Sequence, residues 1–259
     1  MQQQELVAAQ FGATASAYLT SAVHASGADL QQLKDELAAL IPAANRARSR
    51  VLDLGCGAGH ASFAAAAVAG EVTAYDLSAD MLAVVEVAAR ERGLANVRTR
   101  QGAAEQLPFD DASFCAVVSR MSAHHWRDVP AALTEIRRVL KPGGKVVLID
   151  IAGAPDPLRD TWLQSVELLR DPSHVRDYTP AGWRAMFEAA RFAADGIAVS
   201  ETWRIGIDFD SWVQRMRTPA VAVDAIRHLW QVAPAEVREH YRVQADGSFE
   251  LEAVMVTAR

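Results

Sequence analysis

The chain has 259 residues, 51% of them hydrophobic and 22% charged, with a formal net charge of −6 at pH 7. That length supports a core of its own without disulfide staples or a structural metal, and the composition excludes a disordered chain. The mild acidity argues against a protein whose main task is to grip nucleic acid or an anionic membrane. Two cysteines, Cys56 and Cys115, make neither a disulfide framework nor a metal-ligand spacing. The start, Met1-Gln2-Gln3-Gln4-Glu5, lacks the basic-then-apolar pattern of a signal peptide. No apolar run reaches the roughly 18 residues of a membrane span, so the expected setting is soluble and cytoplasmic.

The first fifty residues read as helices. Asp29 is placed to cap one whose apolar positions Leu30, Leu33, Leu37, Leu40 and Ile41 keep helical spacing until Pro42 stops it. Arg46, Arg48 and Arg50 form a compact basic cluster, read as a solvated edge beside the first strand. The period then changes. Short apolar runs at Val51–Leu54, Val72–Tyr75, Phe114–Val118 and Val146–Ile149 suit strands buried on both faces. Val97-Arg98-Thr99-Arg100-Gln101 alternates, as a strand near a sheet edge does.

Helices fill the gaps. Ser78 precedes one with Met81, Leu82, Val85, Ala88 and Ala89 on a single face. Asp128 and Pro130 open another, with Leu133, Ile136, Val139 and Leu140 inward, and Lys141-Pro142-Gly143-Gly144 closes it. This alternation implies right-handed crossovers and an α/β, doubly wound, Rossmann-like sheet. Ala193–Trp203 and Phe249–Thr257 are expected to finish it as an antiparallel pair, with helices around Asp156–Arg170 and Asp208–Tyr241 capping its carboxyl edge. The expected organisation is one domain on a mainly parallel seven-stranded sheet with an antiparallel last strand. A helical lid over 1–49 precedes a cofactor-binding core over 50–151, and cap helices with closing strands fill 152–259.

The chemistry concentrates in Asp53-Leu54-Gly55-Cys56-Gly57-Ala58-Gly59-His60, where a buried strand turns into a helix. Glycines there let the backbone turn tightly and approach a ligand, and the helix start offers free N–H groups. A dinucleotide fingerprint requires a third glycine where His60 stands. Acidic Asp53, two residues before the loop, repels phosphate and suits a ligand with an ammonium group. Asp76, 21 residues after Gly55 at the end of the second strand, suits both ribose hydroxyls. Ribose with ammonium and no diphosphate describes S-adenosylmethionine.

Four motifs follow in order: Asp-Leu-Gly-Cys-Gly-Ala-Gly, then Tyr75-Asp76-Leu77-Ser78, then Gly102-Ala103-Ala104-Glu105-Gln106-Leu107-Pro108-Phe109, then Arg138-Val139-Leu140-Lys141-Pro142-Gly143-Gly144. With them the chain resembles the class I S-adenosylmethionine-dependent methyltransferases, and within these the type-11, ubiquinone/menaquinone-methyltransferase-like branch. The resemblance implies that Gly55, Gly57 and Gly59 line the methionine moiety while Asp53 helps hold its ammonium. It gives Asp76 the ribose hydroxyls, puts adenine between Leu77 and Met81, and has Ala104 and Glu105 read the adenine edge. Ser119 is expected under the methionine portion, with Tyr18 closing the pocket. Ala103 stands where many relatives carry an acid. Bland alternatives remain: Asp76 as a helix cap, Met81 as core, Cys56 as loop filler.

Past the fourth strand, Ser119-Arg120-Met121-Ser122-Ala123-His124-His125-Trp126 is where such enzymes face the transferred methyl. His124 and His125 are the candidate general bases, either being equally a hydrogen-bonded structural histidine. Their side chains diverge, so at most one faces the methyl. Trp126, His174 and Arg176 are candidate acceptor contacts, with Arg170 and Arg217 as further cations for an anionic group. All six tryptophans follow the cofactor motifs, which suggests an aromatic cap over an apolar pocket or anchors for cap helices. No metal site is expected. The reading is methyl transfer to a small-molecule O, C or N nucleophile, with S-adenosylhomocysteine as product and neither nucleic acid nor membrane as partner. The alternatives are an RNA or protein methyltransferase, or a non-catalytic binder of the cofactor or its product. The sequence leaves monomer and homodimer equally open.

Overall fold

A computed structural model describes residues 2–12 and 27–259. Helices α1 (Gln3–Gly12) and α2 (Ala28–Leu40) precede strand β1 (Arg50–Leu54). The core continues as α3 (His60–Ala66), β2 (Glu71–Asp76), α4 (Ala79–Glu91), β3 (Val97–Gln101), β4 (Phe114–Arg120), α5 (Val129–Val139) and β5 (Leu140–Ile151). Then come α6 (Pro157–Arg170), α7 (Pro180–Ala189), β6 (Ala198–Val199), β7 (Trp203–Ile207), α8 (Phe209–Arg215), α9 (Ala220–Val232), α10 (Ala235–His240) and β8 (Phe249–Ala258).

The strands form one sheet in the order β3-β2-β1-β4-β5-β8-β6, with β7 also against β8. β1 to β5 are parallel, and β8 runs antiparallel to β5, β6 and β7. The expected doubly wound architecture is therefore observed, with eight strands in place of seven. The closing position is split in two. Val199 to Trp203 spans one residue more than the Val256–Ala253 stretch it faces, as in a bulge. Ser200 sits at the break: its N–H donates to the Met255 carbonyl (2.9 Å) and its Oγ accepts from the Met255 N–H (3.1 Å). The expected strand from Ala193 thus starts late, because 194–196 form a 3₁₀ turn.

Two more local expectations change. α2 starts after Gly27 without a side-chain cap, and Asp29 lies buried in its first turn, paired with Arg120 at 2.5 Å. Burial with a guanidinium partner satisfies that carboxylate better than an exposed cap would. Lys141-Pro142-Gly143-Gly144 does end α5, but Leu140, expected on that helix, starts β5, and the four residues bulge out between the Phe114–Leu140 and Ala116–Lys145 pairs with β4.

The caps behave as read elsewhere. Ser78 accepts from the Met81 N–H at the start of α4, and Asp128 accepts from the Ala131 N–H at the start of α5. One apolar layer packs α2, α3 and α4 on the sheet through Leu33, Leu37, Ala65 and Val85, and the opposite layer packs α5 and α7 through Leu133, Ile136, Trp183 and Phe187. A third cluster joins α6, α8, α9 and α10 to β7 and β8 through Leu163, Trp212, Ile226, Trp230 and Phe249. Trp126, Trp183, Trp212 and Trp230 are thus buried anchors. Strand order reverses between β1 and β4, so a crevice opens at their carboxyl ends, where open α/β sheets bind ligands. Among the described residues no helix is long and apolar enough to cross a membrane.

Candidate active site

Gly55 leaves β1 with φ +69°, and a Cβ there would lie 1.8 Å from Ser122 Oγ, in the loop after β4. Gly55→Ala combines left-handed strain with this overlap, so it is expected to destabilise the fold by roughly 2–4 kcal/mol. Thermal unfolding checks it: an unchanged Tm would mean that the loop and Ser122 yield freely. Gly57 (φ +49°) has no atom within 4 Å of where a Cβ would stand, so this side of the loop faces open space among the described residues.

Asp76 ends β2 beside the loop. Its Oδ2 accepts from the Gly57 N–H (2.8 Å) and its Oδ1 from the Ser78 N–H (2.9 Å), which fixes the carboxylate toward the crevice. Burial raises its pKa while those N–H donors pull it down. Asp53 is fully buried, and its Oδ2 accepts from Ser62 Oγ at 2.6 Å. Its Oδ1 has no hydrogen-bond partner among the described residues. Burial pushes its pKa up to about 7, against the Ser62 hydrogen bond and helped by the charge of Asp76.

Two cavities meet at the loop. The smaller, about 70 Å³, is lined by Gly55, Asp76, Leu77, Gly102, Ala104, Glu105 and Trp126, and by Gln3, Gln4, Val7 and Phe11 of α1. The larger, about 410 Å³, is lined by Asp53, the loop, Met81, His124 and His125, and reaches Glu167, Arg170, Asp177, Trp203 and Trp212. Leu77 and Met81 therefore border different cavities. Glu105 is held by the Arg127 and Asp128 N–H groups, which donate to its Oε1 at 3.0 and 3.3 Å. Trp126 donates its indole N–H to Ser122 Oγ (3.2 Å) on the smaller cavity. Gly59 and Ser119 line neither cavity: Gly59 starts α3, and Ser119 is buried on β4 with its Oγ unpartnered among the described residues. Tyr18 lies outside the described residues.

The two histidines follow β4 on a 3₁₀ turn and differ in charge. His124 Nδ1 lies 2.5 Å from Asp150 Oδ1, and its backbone N–H donates to Asp150 Oδ2 (3.1 Å). Burial alone would lower its pKa. The charge and hydrogen bond of Asp150, with Asp177 and Glu167 behind, outweigh burial and raise it to about 9. His124 therefore carries a proton at neutral pH. The His125 ring lies 4.1 Å from that of His124, against the expected divergence; its Nδ1 is 3.3 Å from both the carbonyl and the Oγ of Ser173, and its ring meets Phe11 edge-on at 4.8 Å. Burial and the charge of His124 hold it neutral.

His174 and Arg176 line neither cavity. His174 Nε2 lies 2.9 Å from Gln164 Oε1, and burial holds its pKa down at about 3. Arg176 pairs with Asp160 at the surface (2.5 Å), and Arg217 is exposed. Arg170 does border the larger cavity, joined to Glu167 at 3.3 Å. Sequence reading missed Asp150 and Asp177. The readable signal for Asp150 is a lone acid after Val146-Val147-Leu148-Ile149, at a strand's carboxyl end; Asp177 carries no such signal.

A family model described as "Methyltransferase domain" matches residues 52–148. A methyltransferase of Bacillus subtilis named YcgJ, itself uncharacterized, is 36% identical over 95% of this chain and 96% of its own. The chain belongs to the class I S-adenosylmethionine-dependent methyltransferases. The crystal structure of YcgJ superposes with a TM-score of 0.80 at 35% identity, covering 88% of this chain and 97% of that one. This methyltransferase is also 49% identical to the uncharacterized protein YafE of Escherichia coli, over 77% of this chain and 95% of YafE. A demethylmenaquinone methyltransferase of Chlorobaculum tepidum is 37% identical over 39% of this chain and 40% of its own.

Proposed function

We propose that this methyltransferase acts on a small-molecule O, C or N nucleophile in the larger cavity, beside S-adenosylmethionine held on the glycine loop. The observation that carries the reading is the 410 Å³ cavity running from the loop past His124 to a wall of Trp203, Ile205, Ile207, Trp212 and Leu251. Three of the arginines that line it are paired with acids, Arg120 with Asp29, Arg170 with Glu167 and Arg204 with Glu250 and Glu252, which disfavours a polyanionic acceptor such as RNA. The demethylmenaquinone methyltransferase, by its name, acts on demethylmenaquinone, a small molecule, in line with this reading.

The residues present fit the cofactor. Gly57 offers an uncrowded face, Asp76 a fixed carboxylate, and Asp53 a buried oxygen without a donor. S-adenosylmethionine, when bound, supplies the methyl group of its sulfonium. Asp76 accepts from the ribose hydroxyls, Asp53 from the ammonium, and Gly102, Ala104 and Leu77 border the adenine. Asp150 orients His124, whose Nε2 serves as the proton acceptor for the acceptor molecule once the imidazolium has lost its own proton. Trp203 and Trp212 exclude water from the line of transfer.

Incubation of the purified protein with methyl-labelled S-adenosylmethionine and a metabolite extract is expected to label a small molecule. Label only in RNA or protein, or cofactor binding without transfer, would overturn the reading. Asp53 adds a pH signature. With its pKa near 7 in the free protein, protonation competes with the ligand ammonium below that pH. Affinity for S-adenosylhomocysteine is then expected to fall roughly tenfold from pH 8 to pH 6. Calorimetric titration of Asp53→Asn should give a flat profile over the same range.

A further inference from the structure

Two acids that line the larger cavity each carry a buried oxygen with no hydrogen-bond partner among the described residues: Asp53 Oδ1 beside the glycine loop, and Asp177 Oδ2. Asp177 is 2% exposed. It follows a segment that bridges onto the end of β5, Tyr178 pairing with Ala152. β8 holds the other side of β5 there, so this segment lies on the β4 side, against the turn that carries His124, whose carbonyl accepts from the Val175 and Arg176 N–H groups at 2.8 and 3.1 Å. If Asp53 takes the cofactor ammonium, Asp177 is left as an unmet acceptor near the proposed base. A buried polar atom without a partner is costly in a folded chain, and a ligand group is the usual remedy at a site.

We propose that Asp177 orients the methyl acceptor by hydrogen-bonding a neutral hydroxyl group on a mainly apolar molecule whose body packs against Trp203 and Trp212. This rests on the small-molecule reading above. The neighbours select against charge of either sign. Each charged neighbour is already paired, Glu167 with Arg170, Asp150 with His124 and Asp160 with Arg176, so none is left to hold an ionic ligand. Burial also holds the Asp177 carboxyl well above the usual carboxylate range, and a carboxyl hydrogen-bonds a hydroxyl in either protonation state. Its backbone is fixed from behind: the N–H donates to Gln164 Oε1 (3.1 Å) and the carbonyl accepts from Gln164 Nε2 (3.0 Å). Its Oδ2 lies 3.9 Å from His174 Nε2, beyond hydrogen-bond reach. Asp177 is a positioning residue for the acceptor, distinct from the base.

The test uses the full chain saturated with S-adenosylhomocysteine and titrated with four probes: 1-naphthol, naphthalene, 1-naphthoate and 1-naphthylmethylammonium. The wild type is expected to bind 1-naphthol at least about tenfold tighter than the other three. Asp177→Leu should erase the preference for naphthol over naphthalene while S-adenosylhomocysteine affinity stays unchanged. Asp177→Asn replaces an acid with an amide donor of the same shape, and should bind 1-naphthoate at least about tenfold tighter than the wild type does. This gain decides the matter even if the leucine variant fails to fold. Equal binding of naphthol and naphthalene by the wild type, an unaltered preference in Asp177→Leu, or no gain for naphthoate in Asp177→Asn would each overturn the assignment. Loss of S-adenosylhomocysteine binding by the wild type itself would instead overturn the reading on which it rests.

Discussion

Asp76→Ala is expected to weaken S-adenosylhomocysteine binding by at least about a hundredfold, which makes it the largest single effect on the cofactor. Two contributions add. The variant loses the carboxylate that accepts from the ribose hydroxyls, charged hydrogen bonds worth about 1.5–3 kcal/mol each. It also frees the Gly57 N–H and the Ser78 N–H, which donate to Asp76 at 2.8 and 2.9 Å. The glycine loop and the start of α4 are thereby untied from each other. Asp76→Asn separates the two contributions, since its amide oxygen still accepts one N–H and one hydroxyl. It should lie between wild type and alanine in calorimetric titration. If Asp76→Ala bound the product as tightly as wild type, the cofactor assignment at β2 would be wrong.

The second large effect falls on turnover. Removing the base by His124→Ala should lower kcat roughly 10²- to 10⁴-fold, with S-adenosylhomocysteine affinity within about threefold of wild type. Because the free protein holds His124 protonated up to about pH 9, log kcat/KM should rise with pH below that value and level above it. A profile flat between pH 7 and 9 would remove His124 from proton transfer. The same pair contributes to stability, and its sign is set by the direction of the shift. A histidine whose pKa rises on folding from 6.5 to about 9 stabilises the native state fully below 6.5, and loses that contribution as pH climbs through 9. The contribution is of the order of 3 kcal/mol. Asp150→Asn should abolish it and flatten the stability profile across that window, as chemical denaturation at pH 6.5, 8 and 9.5 would reveal.

Much of the cofactor side was legible in the chain because it is built from near neighbours. The run Val51–Leu54, the glycines that follow and Asp76 at the next strand end belong to one β-α-β unit, where spacing along the sequence maps directly onto spacing across the sheet. The helix caps Ser78 and Asp128 were equally readable, since a cap acts within three residues. Asp29 has the same local signature and does something else, because Arg120, distant in sequence, competes for its carboxylate. Lys141-Pro142-Gly143-Gly144 reads as a helix stop and acts as one, whereas Leu140, which reads as the helix's last apolar residue, pairs instead with Phe114 of β4. His174 and Arg176 resemble pocket residues by type alone; Gln164 and Asp160 hold them away from the cavities.

The sequence by itself determined the parallel half of the sheet, the glycine loop and the family to which this methyltransferase belongs, because hydrophobic period, glycine geometry and a carboxylate at a strand end are local properties. Only the tertiary structure decided which histidine is charged. That choice depends on Asp150, 26 residues from His124, and on burial that no window of sequence encodes. The cavity proposed for the acceptor is likewise a product of tertiary structure, since Asp177, Glu167, Trp203 and Trp212 converge on it only through the packing of α6, β7 and α8 against the sheet's carboxyl edge.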